Sequence, residues 1–239
     1  MRPELSVLDL FSGIGGFSLG LAGAGFQTIA FCESDAFCRG VIERRFPGIP
    51  VHDDIRRLRA DALRPFLVCG GFPCQDASLA GRGAGLDGAR TGLWRDMARI
   101  IGECRPRWVV AENVPGLRSR GADRVGADLE ALGYQVWPLV VGAVHAGAPH
   151  RRRRVFVLGR AAAADAAGAG LEMRQPRTTV APAVLHAERC RGWEAEPGLC
   201  RVVDGFPGRV DRVRALGNAV VPAVAAMIGR AVLTAEGLP

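Results

Sequence analysis

Short apolar runs that alternate with helical stretches, and that stop abruptly on glycine, acid or cysteine, constrain this chain more than any other feature. "LSVLDL" (5–10) runs into "FSGIGG", "TIAFCE" (28–33) ends on a glutamate, "FLVCG" (66–70) enters a glycine-rich turn, and "WVVAEN" (108–113) ends on Glu112 and Asn113. Between them, a stretch from about Phe17 to Ala24, "DAFCRGVIERRF" (35–46, halted by Pro47) and "LWRDMARIIGEC" (93–104) carry helical spacing. "YQVWPLVVG" and "RVFVLGR" add two further strands. Strands of this length interleaved with helices predict an α/β fold, a mostly parallel sheet with helices on both faces. Such sheets bind ligands beyond the carboxyl ends of their strands. The unusual residues lie there.

After Arg160 the pattern lapses. "AAAADAAGAG" (161–170) is of low complexity, and no period returns until the segment from about Pro197, which closes in a helix after Pro222. The quoted apolar runs are too short for a bilayer, and "MRPELSVLDLFSG" lacks a leader pattern, so the expectation is a cytoplasmic protein without a membrane partner. The seven cysteines form no CxxC pair, so neither a zinc site nor a disulfide framework is expected. The formal charge is +7, and every basic residue is arginine. Genomic base composition accounts for most of that bias; a net-basic surface still favours polyanions, nucleic acid first.

Several strand ends carry chemistry. "DLFSGIGGF" (9–17) puts three glycines where a strand becomes a helix, so a ligand can approach backbone amides and the helix N-terminus. Glu33, about 20 residues on, suits ribose hydroxyls. Asp54 could accept from an adenine amino group. Together they point to an adenosine-containing cofactor, and the absence of lysine argues against ATP chemistry. Cys74 in "GGFPCQDAS" (70–78) is either an inert turn cysteine or a nucleophile held by Pro73, with Gly70 and Gly71 allowing close approach. Glu112, at the end of a very apolar strand, either pairs with an arginine or, with raised proton affinity, hydrogen-bonds a substrate ring. "HRRRRV" (150–155) starts a strand; it is a solvated charge run, or alternation turns two arginines toward phosphate or base oxygens.

In this order the motifs resemble the S-adenosylmethionine-dependent cytosine-5 DNA methyltransferase family, as a minimal phage- or bacterial-type member. "DLFSGIGGF" is similar to its cofactor loop, "ESD" (33–35) to its ribose contact and "DDI" (53–55) to its adenine contact. "GGFPCQDAS" is similar to its nucleophile loop, "ENV" (112–114) to its glutamate motif, "HRRRRVF" to its arginine motif and "RALGNAVVP" to its closing segment. The resemblance implies a Rossmann-like methyltransferase fold: residues 1–160 for catalysis and cofactor, 161–210 as a much reduced target-recognition region, and 211–239 returning to the catalytic domain. It implies that Cys74 adds to carbon 6 of a flipped-out cytosine. Glu112 would stabilise the ring, with Arg152 and Arg154 holding the ring oxygen and the active-site loop. S-adenosylmethionine would meet Phe11, Gly13, Gly15, Glu33, Asp54, Ile55, Leu93 and Asn218. Gln75, Ser78, Arg82 and Arg90 would contact double-stranded DNA.

His150, Asp53 and Ala219 depart from the family's usual glutamine, glycine and serine, and the recognition region is far shorter than usual. The expected partners are DNA and a cognate restriction enzyme, with the chain a monomer. Two other readings compete: an RNA cytosine-5 methyltransferase of the same fold, and a catalytically silent DNA-binding relative.

Overall fold

The computed structural model describes residues 4–73, 92–117, 121–162 and 209–239. In chain order these form β1 (Ser6–Leu10), α1 (Gly16–Ala22), β2 (Gln27–Cys32), α2 (Ala36–Arg45), β3 (Val51–His52), β4 (Leu67–Gly71) and α3 (Gly92–Cys104). There follow β5 (Trp108–Asn113), α4 (Ala122–Ala131), β6 (Tyr134–Val141), β7 (Arg154–Ala161), α5 (Arg209–Asn218) and α6 (Pro222–Ala235). The strands make one seven-stranded sheet in the order β3-β2-β1-β4-β5-β7-β6. All neighbours are parallel except β7, which runs antiparallel to both β5 and β6.

β1, β4 and β5 are apolar apart from Ser6, Asp9, Glu112 and Asn113, because both of their faces are covered. Leu8, Leu10, Val68, Val109 and Ala111 turn to one face, beneath Trp94, Met97, Ile100 and Ile101 of α3 and Val125 and Leu129 of α4. Val7, Leu67, Cys69, Val110 and Phe156 turn to the other, beneath Phe17 and Leu21 of α1 and Val224, Ala225, Ile228 and Val232 of α6. The mostly parallel α/β sheet expected from the sequence is therefore present.

The closing segment returns to the first helix. A side chain at Gly16 would strike the Val220 carbonyl, and one at Gly20 would strike the Pro222 carbonyl, so these two glycines let the backbone at 220–222 lie directly on α1. Residues 210–235 are together long and apolar enough to cross a membrane, with a mean hydropathy of 1.6 in the most apolar window, a longer run than those weighed above. The fold breaks that run into α5 and α6, with Pro222 at the start of α6. The apolar side of α6 is spent on α1 and the sheet.

Candidate active site

A cleft of about 870 Å³ opens along the carboxyl ends of β1, β2, β4 and β5 and is roofed by α5. Its floor starts with the turn between β1 and α1. Phe11, Gly13 and Gly15 all take positive φ there, at 51°, 55° and 80°. The Gly13 amide donates to Glu33 Oε2 at 2.7 Å and the Asp35 amide to Glu33 Oε1 at 2.7 Å. Glu33 thus shapes the glycine turn while keeping lone pairs for a ligand, and burial raises its pKa above the usual carboxylate value. Phe11 and Gly13 line the cleft. Gly15 is not among its lining residues; it caps α1 where a side chain would come within 2.7 Å of the Phe46 ring.

Asp54 and Ile55 line the opposite wall. Asp54 heads a tight turn: its Oδ1 accepts from the Arg56 amide at 3.0 Å, and its carbonyl accepts from the amides of Arg57 and Leu58, both at 3.1 Å. Leu93 from α3 and Asn218 from α5 complete the lining. Arg214, also on the roof, pairs with Asp35 at 2.5 Å and so ties α5 across the cleft to the start of α2. Nothing in its sequence surroundings distinguishes Arg214 from the chain's other arginines: Asp211, three residues before it, is also within 3.2 Å, but Asp35 is far away in sequence.

The β5 end of the cleft gathers around Glu112, which is only 8% exposed. It lies opposite Gly71 in the ladder, where a side chain would meet Glu112 Oε2 at 2.8 Å, so glycine there is what leaves room for the carboxyl. Arg154 Nε stands 3.0 Å from Glu112 Oε1. Burial pushes the Glu112 pKa up to about 7, against the opposing pull of Arg154 and Arg152. The two readings of Glu112, arginine pair and proton-retaining acid, therefore hold together. Asn113 Nδ2 donates to the Phe72 carbonyl at 3.0 Å and the Phe72 ring lies 5.2 Å from Trp94, which fixes the approach to Pro73.

The arginine run behaves differently from a strand alternating outward. β7 begins only at Arg154, and Arg152 precedes it at φ 25°. Its guanidinium donates to the carbonyls of Gly217 (2.6 Å) and Ala219 (2.7 Å), closing the C-terminal end of α5. Arg152 therefore holds the roof, while Arg154 lines the cleft. Cys74, Gln75, Ser78, Arg82 and Arg90 lie outside the described residues. Among the described residues no group of three or more His, Cys, Asp or Glu side chains is disposed to hold a metal ion.

A family model of the C-5 cytosine-specific DNA methylases matches residues 5–180. The type II methyltransferase M2.BsuMI of Bacillus subtilis (strain 168) is 40% identical over 162 residues, 64% of this chain and 41% of that protein. The type II methyltransferase M.HpaII of Haemophilus parainfluenzae is 33% identical over 167 residues, 66% of this chain and 47% of that protein. This chain thus spans less than half the length of those relatives. Among solved structures, a prophage-encoded E. coli protein assigned as a DNA modification methyltransferase superposes with a TM-score of 0.56 at 31% identity, over 66% of this chain and 47% of that one. On these matches, and with the sheet order and cleft described above, the chain belongs to the C-5 cytosine-specific DNA methylase family.

Proposed function

We propose that this chain is a DNA (cytosine-5)-methyltransferase that uses S-adenosylmethionine and attacks a flipped-out cytosine through Cys74. The observation that carries the reading is the buried Glu112 carboxyl, paired with Arg154 at the end of the cleft where the chain passes through Phe72 and Pro73 toward Cys74. The donor set fits the cofactor. Glu33 would offer a carboxylate to ribose hydroxyls, and Asp54 and Ile55 would take the adenine, with Phe11, Gly13, Leu93 and Asn218 completing the lining. Of the other acids along that wall, Asp35 is paired with Arg214, and Asp53 and Asp54 with Arg57. When bound, S-adenosylmethionine supplies an electrophilic methyl group on a sulfonium.

The chain's own groups do the rest. Cytosine is a poor carbon nucleophile, so the Cys74 thiolate adds to carbon 6 and electron density moves to carbon 5. Glu112, with a pKa near 7, holds a proton against ring nitrogen 3 and takes up the developing charge. Arg154 keeps that carboxyl in place, and Arg152 keeps α5 closed over the cleft. Carbon 5 would take the methyl group as its bond to the sulfonium sulfur breaks. Carbon 5 would then give its proton to solvent water, Glu112 would recover the proton at nitrogen 3, and the thiolate would be expelled from carbon 6. Gln75, Ser78, Arg82 and Arg90 contact double-stranded DNA, residues 1–160 carry the chemistry, 161–210 read the site and 211–239 close the cleft. The type II names of the relatives favour a cognate restriction enzyme as a partner, and a monomer is the state we propose for the chain.

Base-resolution methylation mapping of DNA from a methylation-free bacterial host tests the reading, with Cys74→Ala and Glu112→Gln beside the wild type. The expected result is a discrete methylated motif, absent with Cys74→Ala and reduced at least 100-fold with Glu112→Gln. Methylation that survives Cys74→Ala sinks the covalent mechanism. Methyl incorporation into transfer RNA with none in DNA moves the function to RNA.

A further inference from the structure

α3 carries an arginine that the chemistry above does not use. Arg99 donates from one terminal nitrogen to the Ile55 carbonyl at 2.7 Å, and from the other to the Leu58 carbonyl at 3.0 Å and to Glu103 Oε1 at 2.6 Å. The second oxygen of Glu103 accepts the Ala60 amide at 2.9 Å. One ion pair on one face of α3 therefore grips three backbone groups of the chain between Ile55 and Ala60.

What it grips is the turn that opens on Asp54. The first end of that turn is closed from within, by the Asp54 side chain and carbonyl. The carbonyls at the far end of a helical turn have no amide partners and carry its negative pole. Arg99 supplies both the donors and the positive charge. The sheet holds this part of the chain through β3, two residues long, and through the Pro50 and His52 carbonyls, which accept from the Phe31 and Glu33 amides. Beyond His52, burial of Ile55 and Leu58 holds the turn down, and the Arg99 fork sets its carbonyl positions.

We propose that Arg99 is a positioning residue for the cofactor, one that holds the 54–58 turn so that Asp54 and Ile55 meet the adenine of S-adenosylmethionine; this rests on the cofactor reading given above. The same helix carries Leu93, in the cleft lining, and Trp94, against Phe72, so α3 braces the wall of Asp54 and Ile55 and the end of β4 together. A planar guanidinium reaches two carbonyls and a carboxylate at once. An ammonium reaches fewer, so lysine should restore only part of the effect.

The test is calorimetric titration of the full chain with S-adenosylhomocysteine, and separately with adenosine, for wild type, Arg99→Met, Arg99→Lys and Arg105→Met. Arg105 is the control, because it bonds the carbonyls of Gly102 and Leu132 at the other end of α3, away from the turn. The expected result is a Kd raised about 5- to 20-fold in Arg99→Met for both ligands, the equivalent of one or two lost hydrogen bonds. Arg99→Lys should lie between, Arg105→Met should stay within twofold of wild type, and kcat at saturating cofactor should be unchanged. If Arg99→Met does not fold, Arg99→Lys carries the comparison. Wild-type binding with an unchanged Kd in a folded Arg99 variant overturns the proposal, as does a loss confined to S-adenosylhomocysteine and not shared by adenosine. A wild type that binds neither ligand overturns the cofactor reading itself.

Discussion

Asp9 is wholly buried in the middle of β1, where an ionised carboxylate is costly. Its Oδ2 accepts from the Ser18 hydroxyl at 2.6 Å and the Ser18 amide at 3.2 Å, which holds the first turn of α1 beneath the glycine loop. Burial pushes its pKa up to about 7 in spite of those bonds. An unfolded aspartate has given up its proton above pH 3.8, while the folded one keeps it until about 7. The stabilisation is therefore complete below about pH 4 and is lost as pH rises to about 7. Asp9→Asn should flatten denaturation free energy against pH across that window, by up to about 1.4 kcal/mol per pH unit, leaving Glu112 and Glu33 to supply the remaining slope. Equal slopes for the two proteins would mean that Asp9 is ionised in the fold. Glu112 and Asp9 show what is legible at this scale. An acid at the end of an apolar strand already implies retained protons, and Glu112 bears that out. The same signal stood inside "LDLF", but the neighbouring glycines drew the reading toward ligand contact and away from the buried carboxyl.

Packing of α6 on α1 turns on small residues. An added Cβ at Gly20 would meet the Pro222 carbonyl and would come 2.7 Å from Ala225 Cβ, and backbone there cannot yield cheaply. Gly20→Ala should cost about 1–3 kcal/mol through overpacking, even though alanine favours helix. Gly126 in α4 is the contrast. Its nearest neighbour to an added Cβ is Val136 Cγ1 at 3.9 Å, so Gly126→Ala should gain about 0.5–1 kcal/mol. Urea melts of both variants read the two signs, and a stabilised Gly20→Ala would contradict the α1–α6 contact. The central strands were legible because burial on both faces leaves them mostly apolar, and the glycine turn because the positive φ at positions 13 and 15 favours glycine. Arg152 was legible as a residue and not as geometry: its work is done ahead of the strand, at positive φ, on carbonyls 65 and 67 residues away. Arg99 left no signal, since its carbonyl partners lie 41 and 44 residues off and carry no side-chain identity.

Taken whole, the molecule separates its two tasks along the strands. The cleft lies at the carboxyl ends, where β5 delivers Glu112; the opposite end of β5 is closed by Glu236, just past α6. Glu236 Oε1 accepts from Trp108 Nε1 at 3.0 Å and Arg160 Nε at 2.8 Å, while Arg107 stands 3.3 Å from its Oε2. Burial alone would raise the Glu236 pKa, but the hydrogen bonds from Arg107 and Trp108 and the charges of Arg107 and Arg160 hold it below the usual carboxylate value. Glu236→Gln keeps an acceptor and removes the negative charge that Arg107 and Arg160 share. It should destabilise the fold by about 1–3 kcal/mol at pH 7. Because the folded pKa is depressed, the gap to wild type should be full above pH 4.5 and should close as pH falls through the folded value. Trp108 and Glu112 are four residues apart on one strand, roughly 13 Å at the usual rise. Changes at that separation with no shared partners add independently. Calorimetry should therefore find the Glu236→Gln Kd for S-adenosylhomocysteine within twofold of wild type while its melting temperature drops. A Kd that rose as stability fell would mean that the C-terminal lock and the cleft are one cooperative unit, with α6 transmitting strain through Pro222 and Val220 to the α5 roof.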